Sequence, residues 1–287
     1  MNLERSKKTS AWATRALHMA ACLVLSLLLV PGQGAAQSGA QRAFTEAMRA
    51  ETARLAADDR LLEAQLKRAY GQSISAEMMQ IAKRNLRAIF GHPEFAARLA
   101  DGIFPLYGAK ASREMVQAAS AEIVQQLQLR GMLRMPNEKI ESFLMHMMGL
   151  MRALTPEACA DFIDGNIDAE TAGAIERYYM GSLPVEQFRA VSGLYVQAAR
   201  HELDGYPHPR TLSVEQVRLA ETVYEAATLR RLAASFTQEE LQALAEDPAK
   251  VSRARYCEFG AQLILAMLDL KEPYRGWQFT SYLQSLQ

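Results

Sequence analysis

From Gln41 to the C-terminus one unit recurs: a polar residue that can cap a helix, an apolar stripe at helical spacing, and a closing glycine or proline. Nothing alternates with the two-residue period of a strand for long enough to compete. The expected fold is therefore all-α, an irregular multi-helix bundle of about ten helices with no β-sheet. The strongest stripe runs from Asn137 to Leu154. At about 100° per residue, Ile140, Phe143, Leu144, Met147, Met148, Leu150, Met151 and Leu154 fall on one arc roughly 160° wide, which makes this stretch a core helix.

The N-terminus reads differently. Arg5, Lys7, Lys8 and Arg15 stand against Glu4 alone, and Met19 to Val30 is an apolar run ended by Pro31, Gly32 and Gly34. That is the length of a signal-peptide core, whereas a membrane span needs about twenty residues. Small residues at Gly34 and Ala36 predict cleavage after Ala36, with Ser38-Gly39-Ala40 a second candidate. Cys22 is a poor lipidation site because most of the apolar core follows it, and no twin arginine precedes it. The expected domains are a signal peptide at 1–36, an N-terminal helical arm and subdomain at 37–110, and a main bundle at 111–287, or one continuous domain at 41–287. The expected location is the periplasm of a Gram-negative bacterium, or secretion beyond it, with no stable membrane span after cleavage.

Removing the leader would leave 28 basic and 31 acidic side chains, so the charge gives no nucleic-acid footprint. It would also leave only Cys159 and Cys257. Cys159 shares a helical face with Phe162 and Ile163, and Cys257 is in line with Ala261, Ile264 and Leu268. In an oxidising compartment the two are expected to form a structural disulfide.

Local punctuation is clear. Asp58-Asp59, Ser75 and Ser112 open helices, Thr155 caps another with Pro156 at its first position, and Ser213 with Gln216 and Thr237 with Glu240 form capping boxes. Gly102 to Ala111, with Gly102, Pro105 and Gly108, reads as a packed connector, and Gly131 as a helix end. The starts at Thr155, Pro184, Ser213 and Thr237 are unevenly spaced, so they do not define a repeat. The aromatic tail from Pro273 to Gln287 is expected to dock.

Chemistry is sparse. Met145, His146, Met147, Met148 and Met151 cluster, and thioethers with imidazole suit Cu(I). On a helix, however, Met145 and Met147 point about 200° apart, and only Met147, Met148 and Met151 share a face. The apolar character of that face makes them core filler. His201, Glu202 and His208 lack the four-residue spacing of a zinc helix and are interrupted by Gly205 and Pro207. No phosphate loop, dinucleotide fingerprint or nucleophile elbow occurs.

Glu141-Ser142-Phe143 followed by Gly149-Leu150-Met151 resembles fragments of the catalytic motifs of lytic transglycosylases, helical envelope enzymes in which a glutamate beside serine protonates the glycosidic oxygen. The resemblance implies that acid role for Glu141. The pieces stand closer together than in that family, Arg152 replaces the expected glutamine, and Glu141 projects to the edge of the polar side. Phe236 to Leu241 is similar to a phrase found in exported helical bacterial proteins, and it carries over no functional residue. No catalytic residue, metal ligand or cofactor is assigned. The expected function is non-enzymatic binding or interaction in the envelope, with an envelope protein or a small apolar ligand as partner. The alternatives are a peptidoglycan-acting hydrolase and copper handling through the methionine-rich helix.

Overall fold

A computed structural model of the chain describes residues 39–71 and 74–286. The expected leader, with Cys22 and the expected cleavage after Ala36, lies outside the described residues. Among those residues the chain forms thirteen α-helices and two short 3-10 turns, with no strand. In chain order they are α1 (Gly39–Ala57), α2 (Asp59–Tyr70), α3 (Ala76–Phe90), α4 (Phe95–Tyr107), α5 (Arg113–Met132), α6 (Asn137–Ala153), α7 (Pro156–Asp164), α8 (Ala169–Ser182), α9 (Val185–Asp204), α10 (Val214–Ser235), α11 (Gln238–Glu246), α12 (Arg253–Leu268) and α13 (Tyr274–Ser285).

The caps do what their chemistry predicts. Asp58 accepts from the Arg60 and Leu61 N–H groups, and the hydroxyls of Ser75, Ser112, Thr155 and Ser252 each accept from the N–H three residues on. Both capping boxes form reciprocally, satisfying donors that the first helical turn leaves open. Gly165 and Gly205 close α7 and α9 in the left-handed region, at φ 68° and 66°, where a side chain would be strained.

The described residues gather into two compact units, one of 39–135 with Met180–Pro209, the other of Pro136–Tyr179 with Arg210 onward. In the first, Phe95, Leu99 and Ile103 of α4 pack with Leu127 of α5 and Leu203 of α9. Phe44 of α1 joins them, its ring 5.6 Å from that of Phe104, so the N-terminal arm is part of a core. The stretch read as a connector is helical. Helix α4 runs through Gly102 and Pro105 because its stripe, Phe95, Leu99 and Ile103, continues past the glycine, and a Cβ at Gly102 would stand 2.7 Å from Ile123 Cδ1. Helix α5 ends at Met132, one residue past Gly131, and Gly131 in that last turn lies against the backbone of Ala198.

Two polar clamps stiffen this unit. Lys83, 2% exposed, brings its ammonium to Asp59 at 2.8 Å and Glu63 at 2.7 Å, which ties α3 to α2. Arg134 donates to Glu202 Oε2 at 2.8 Å and to the Gly205 and Pro207 carbonyls at 3.1 and 2.7 Å, fixing the turn that leaves α9.

In the second unit Tyr256 and Phe259 of α12 stack with centroids 6.1 Å apart, beside Cys159, Ile163, Leu232 and Phe236. Arg255 chelates Glu240 at 2.7 and 2.9 Å and lies 4.1 Å over the Phe236 ring. The guanidinium holds the Glu240 carboxyl down at about 2. The aromatic tail docks as a helix of its own, α13, with Phe279 and Leu283 fully buried. No helix of the described residues is long and apolar enough to cross a membrane.

Candidate functional site

Helix α6 buries more than one side. Ile140, Leu144, Met148 and Met151 are inside as the stripe predicts, but His146, off that stripe, is also only 6% exposed. What covers it is Tyr179 of α8, whose ring centre lies 5.4 Å from the imidazole. Gly149 makes the approach possible: a Cβ there would sit 2.2 Å from the Tyr179 hydroxyl. Burial holds the His146 pKa down at about 4, from 6.5.

A pH dependence follows from that shift. Below pH 6.5 the unfolded chain takes up a proton at His146 while the folded chain does not, so stability is full above 6.5 and drains away as pH falls towards 4. The shift corresponds to about 3 kcal/mol. Denaturant unfolding at pH 7 and at pH 4.5 should show His146→Leu losing much less stability between the two than the wild type does. Equal losses would mean that the imidazole is solvated.

Two hollows adjoin α6. The first, about 260 Å³ and open, is a groove between α6 and α8 lined by Ala153, Leu154, Ala174, Ile175, Tyr178 and Tyr179. Tyr178 stands at its rim, 76% exposed, while Tyr179 connects its floor to His146. The second is smaller, about 60 Å³, and lies between α6 and α12, where Met147 and Met151 meet Met267, Gly260, Tyr224 and Tyr282. Both tyrosine hydroxyls there are kept neutral by burial, with Tyr282 pushed up to about 12. Tyr224 donates to the Leu263 carbonyl at 3.2 Å. Met148, on the sequence stripe, is 2% exposed and lines neither hollow, and Met145 is 49% exposed.

The other sequence candidates fall elsewhere. Glu141 is half-exposed, pairs with Arg275 at 3.5 Å, and lines neither hollow. His201 contacts the Tyr206 carbonyl through Nδ1 at 3.0 Å, Glu202 is engaged by Arg134, and His208 rests edge-on to Tyr206. Among the described residues no three His, Cys, Asp or Glu side chains gather as a metal site. Cys159 and Cys257 meet at disulfide distance, their Cα atoms 5.6 Å apart. Cys159 is fully buried and Cys257 half-buried.

Comparison with protein families, curated proteins and solved structures finds no match. The residues that sequence reasoning passed over are Tyr178, Tyr179 and Met267. The adjacent tyrosines near the end of α8 were the available signal, since two neighbouring aromatics on a short amphipathic helix are unusual for a solvated face. Met267 gave none, lying 116 residues from Met151 in sequence.

Proposed function

We propose that this protein is a non-enzymatic interaction protein of the bacterial envelope, and that the groove between α6 and α8 receives apolar side chains of a protein partner. The observation that carries the reading is the groove itself, an open apolar trough with an exposed tyrosine at its rim. Pockets for organic ligands enclose about 300–1,000 Å³ and bury most of the ligand, whereas an open trough of about 260 Å³ suits one or two inserted side chains. Tyrosine at such a rim supplies large contact area at low entropic cost and is enriched at protein interfaces. Export is supported by the basic, apolar and small-residue order of the first 36 residues.

The test is site-specific crosslinking in the native host. A photoreactive residue at Tyr178 should give one discrete protein adduct, lost when Ala174→Arg fills the groove. The same probe at Val214, 87% exposed on α10, should give none. Absence of an adduct at Tyr178, or equal capture at both positions, defeats the proposal, and an adduct with a second copy of this chain would reassign the groove to self-association. Release of soluble muropeptides from cell wall, abolished by Glu141→Gln, would replace the binding reading with the hydrolase.

A further inference from the structure

We propose that Met147, Met151 and Met267 form a buried thioether site for one soft monovalent cation, Cu(I) or its redox-inert counterpart Ag(I). The juxtaposition is tertiary. Met147 and Met151 stand one turn apart on α6, a spacing that puts their Cβ atoms about 5–6 Å from one another on one face, and α12 packs against that face carrying Met267. All three line the same hollow of about 60 Å³. Met151 and Met267 are almost fully buried, at 4% and 2% exposure.

The lining selects the ligand. It contains no carboxylate, imidazole or thiolate, so hard divalent cations and zinc, which take oxygen, nitrogen and thiolate donors, find nothing to bind. Thioether sulfur is the donor that favours Cu(I). A single positive charge is also the least costly to bury, and the Tyr224 and Tyr282 side chains beside the sulfurs add aromatic surface to which a cation is attracted. The hollow is several times smaller than an organic-ligand pocket but holds an ion. Gly260 keeps the space open: a Cβ there would stand 3.1 Å from the Met151 methyl and 2.5 Å from Ile163 Cδ1. The two described cysteines face each other at disulfide distance, so no free thiolate among the described residues would compete for the ion. This site shares no residue with the α6–α8 groove and stands or falls apart from it.

The probe is Ag(I), added without external thiols or halide to the full chain carrying Cys22→Ser, and followed by thermal unfolding. One equivalent should raise the melting temperature by several degrees. Met147→Leu, Met151→Leu and Met267→Leu, near-isosteric changes that cores tolerate, should each reduce the shift, and the triple variant should abolish it. Met148→Leu, a buried change on the same helix outside the hollow, should leave it intact. A shift that survives in the triple variant, or no shift in the chain that keeps its methionines, overturns the proposal. So that a methionine variant's folding does not decide the matter, the Cys22→Ser chain with all its methionines, loaded with one Cu(I), is read by X-ray absorption. Sulfur-only coordination is expected, and nitrogen or oxygen donors would overturn the site.

Discussion

Gly131→Ala should destabilise the unit built on α4, α5 and α9 by about 3 kcal/mol or more, lowering its melting temperature by roughly 6–12 °C. The cause is a helix crossing at backbone contact. A Cβ at position 131 would lie 1.7 Å from the Ala198 carbonyl oxygen, 2.3 Å from its carbon and 2.9 Å from its Cα. None of these is a side-chain tip that can rotate away, so α5 and α9 would have to part by more than an ångström. That loosens the contacts of Leu127, Ala199 and Leu203, all nearly or fully buried, along the same interface. Dispersion falls off steeply with such a gap.

The matched control is Gly193→Ala, inside α9, where a Cβ would meet nothing within 4 Å. It should gain about 0.5–1 kcal/mol from helix propensity alone. Thermal or urea unfolding of both variants checks the pair. If Gly131→Ala melts within about two degrees of the wild type, which is under about 1 kcal/mol, the close crossing does not exist.

Gly131 also shows what can be read from sequence and what cannot. A glycine near the end of an apolar stripe has two physical uses, a left-handed cap or a close approach, and the sequence does not say which. Gly165 is the first, Gly131 the second. Caps were legible because all their atoms lie within a few residues, as with Ser213 and Gln216 or Thr237 and Glu240. The stripe of α6 was legible for the same reason. The covering of His146 was not, because Tyr179 reaches it from another helix through a gap left by Gly149. Pro105 misled in the opposite sense: it cannot donate to a helical hydrogen bond, yet the buried stripe of α4 carried the helix through it. The return of Met180–Pro209 to the first unit was invisible too, since no composition change marks residue 180.

That return gives the cysteine pair its largest consequence. The chain leaves the second unit at Tyr179 and re-enters it at Arg210, so the unit is assembled from two pieces with a separate excursion between them. Cys159 on α7 lies in one piece and Cys257 on α12 in the other, 98 residues apart in sequence, with the whole excursion inside the loop they close. A covalent link there removes loop-closure entropy from the unfolded chain, about 4 to 5 kcal/mol for a loop of this length in the chain-entropy account. Cys159→Ala with Cys257→Ala should therefore lose about that much in urea unfolding, and the wild type in strong reductant should lose a similar amount. Far-UV circular dichroism of the folded forms should be unchanged, because the helices keep their own caps and the core around Tyr256 and Phe259 needs no covalent help to pack. Two alkylatable thiols in the native protein, or a loss below about 1 kcal/mol, would show that the unit holds its two pieces together by burial alone.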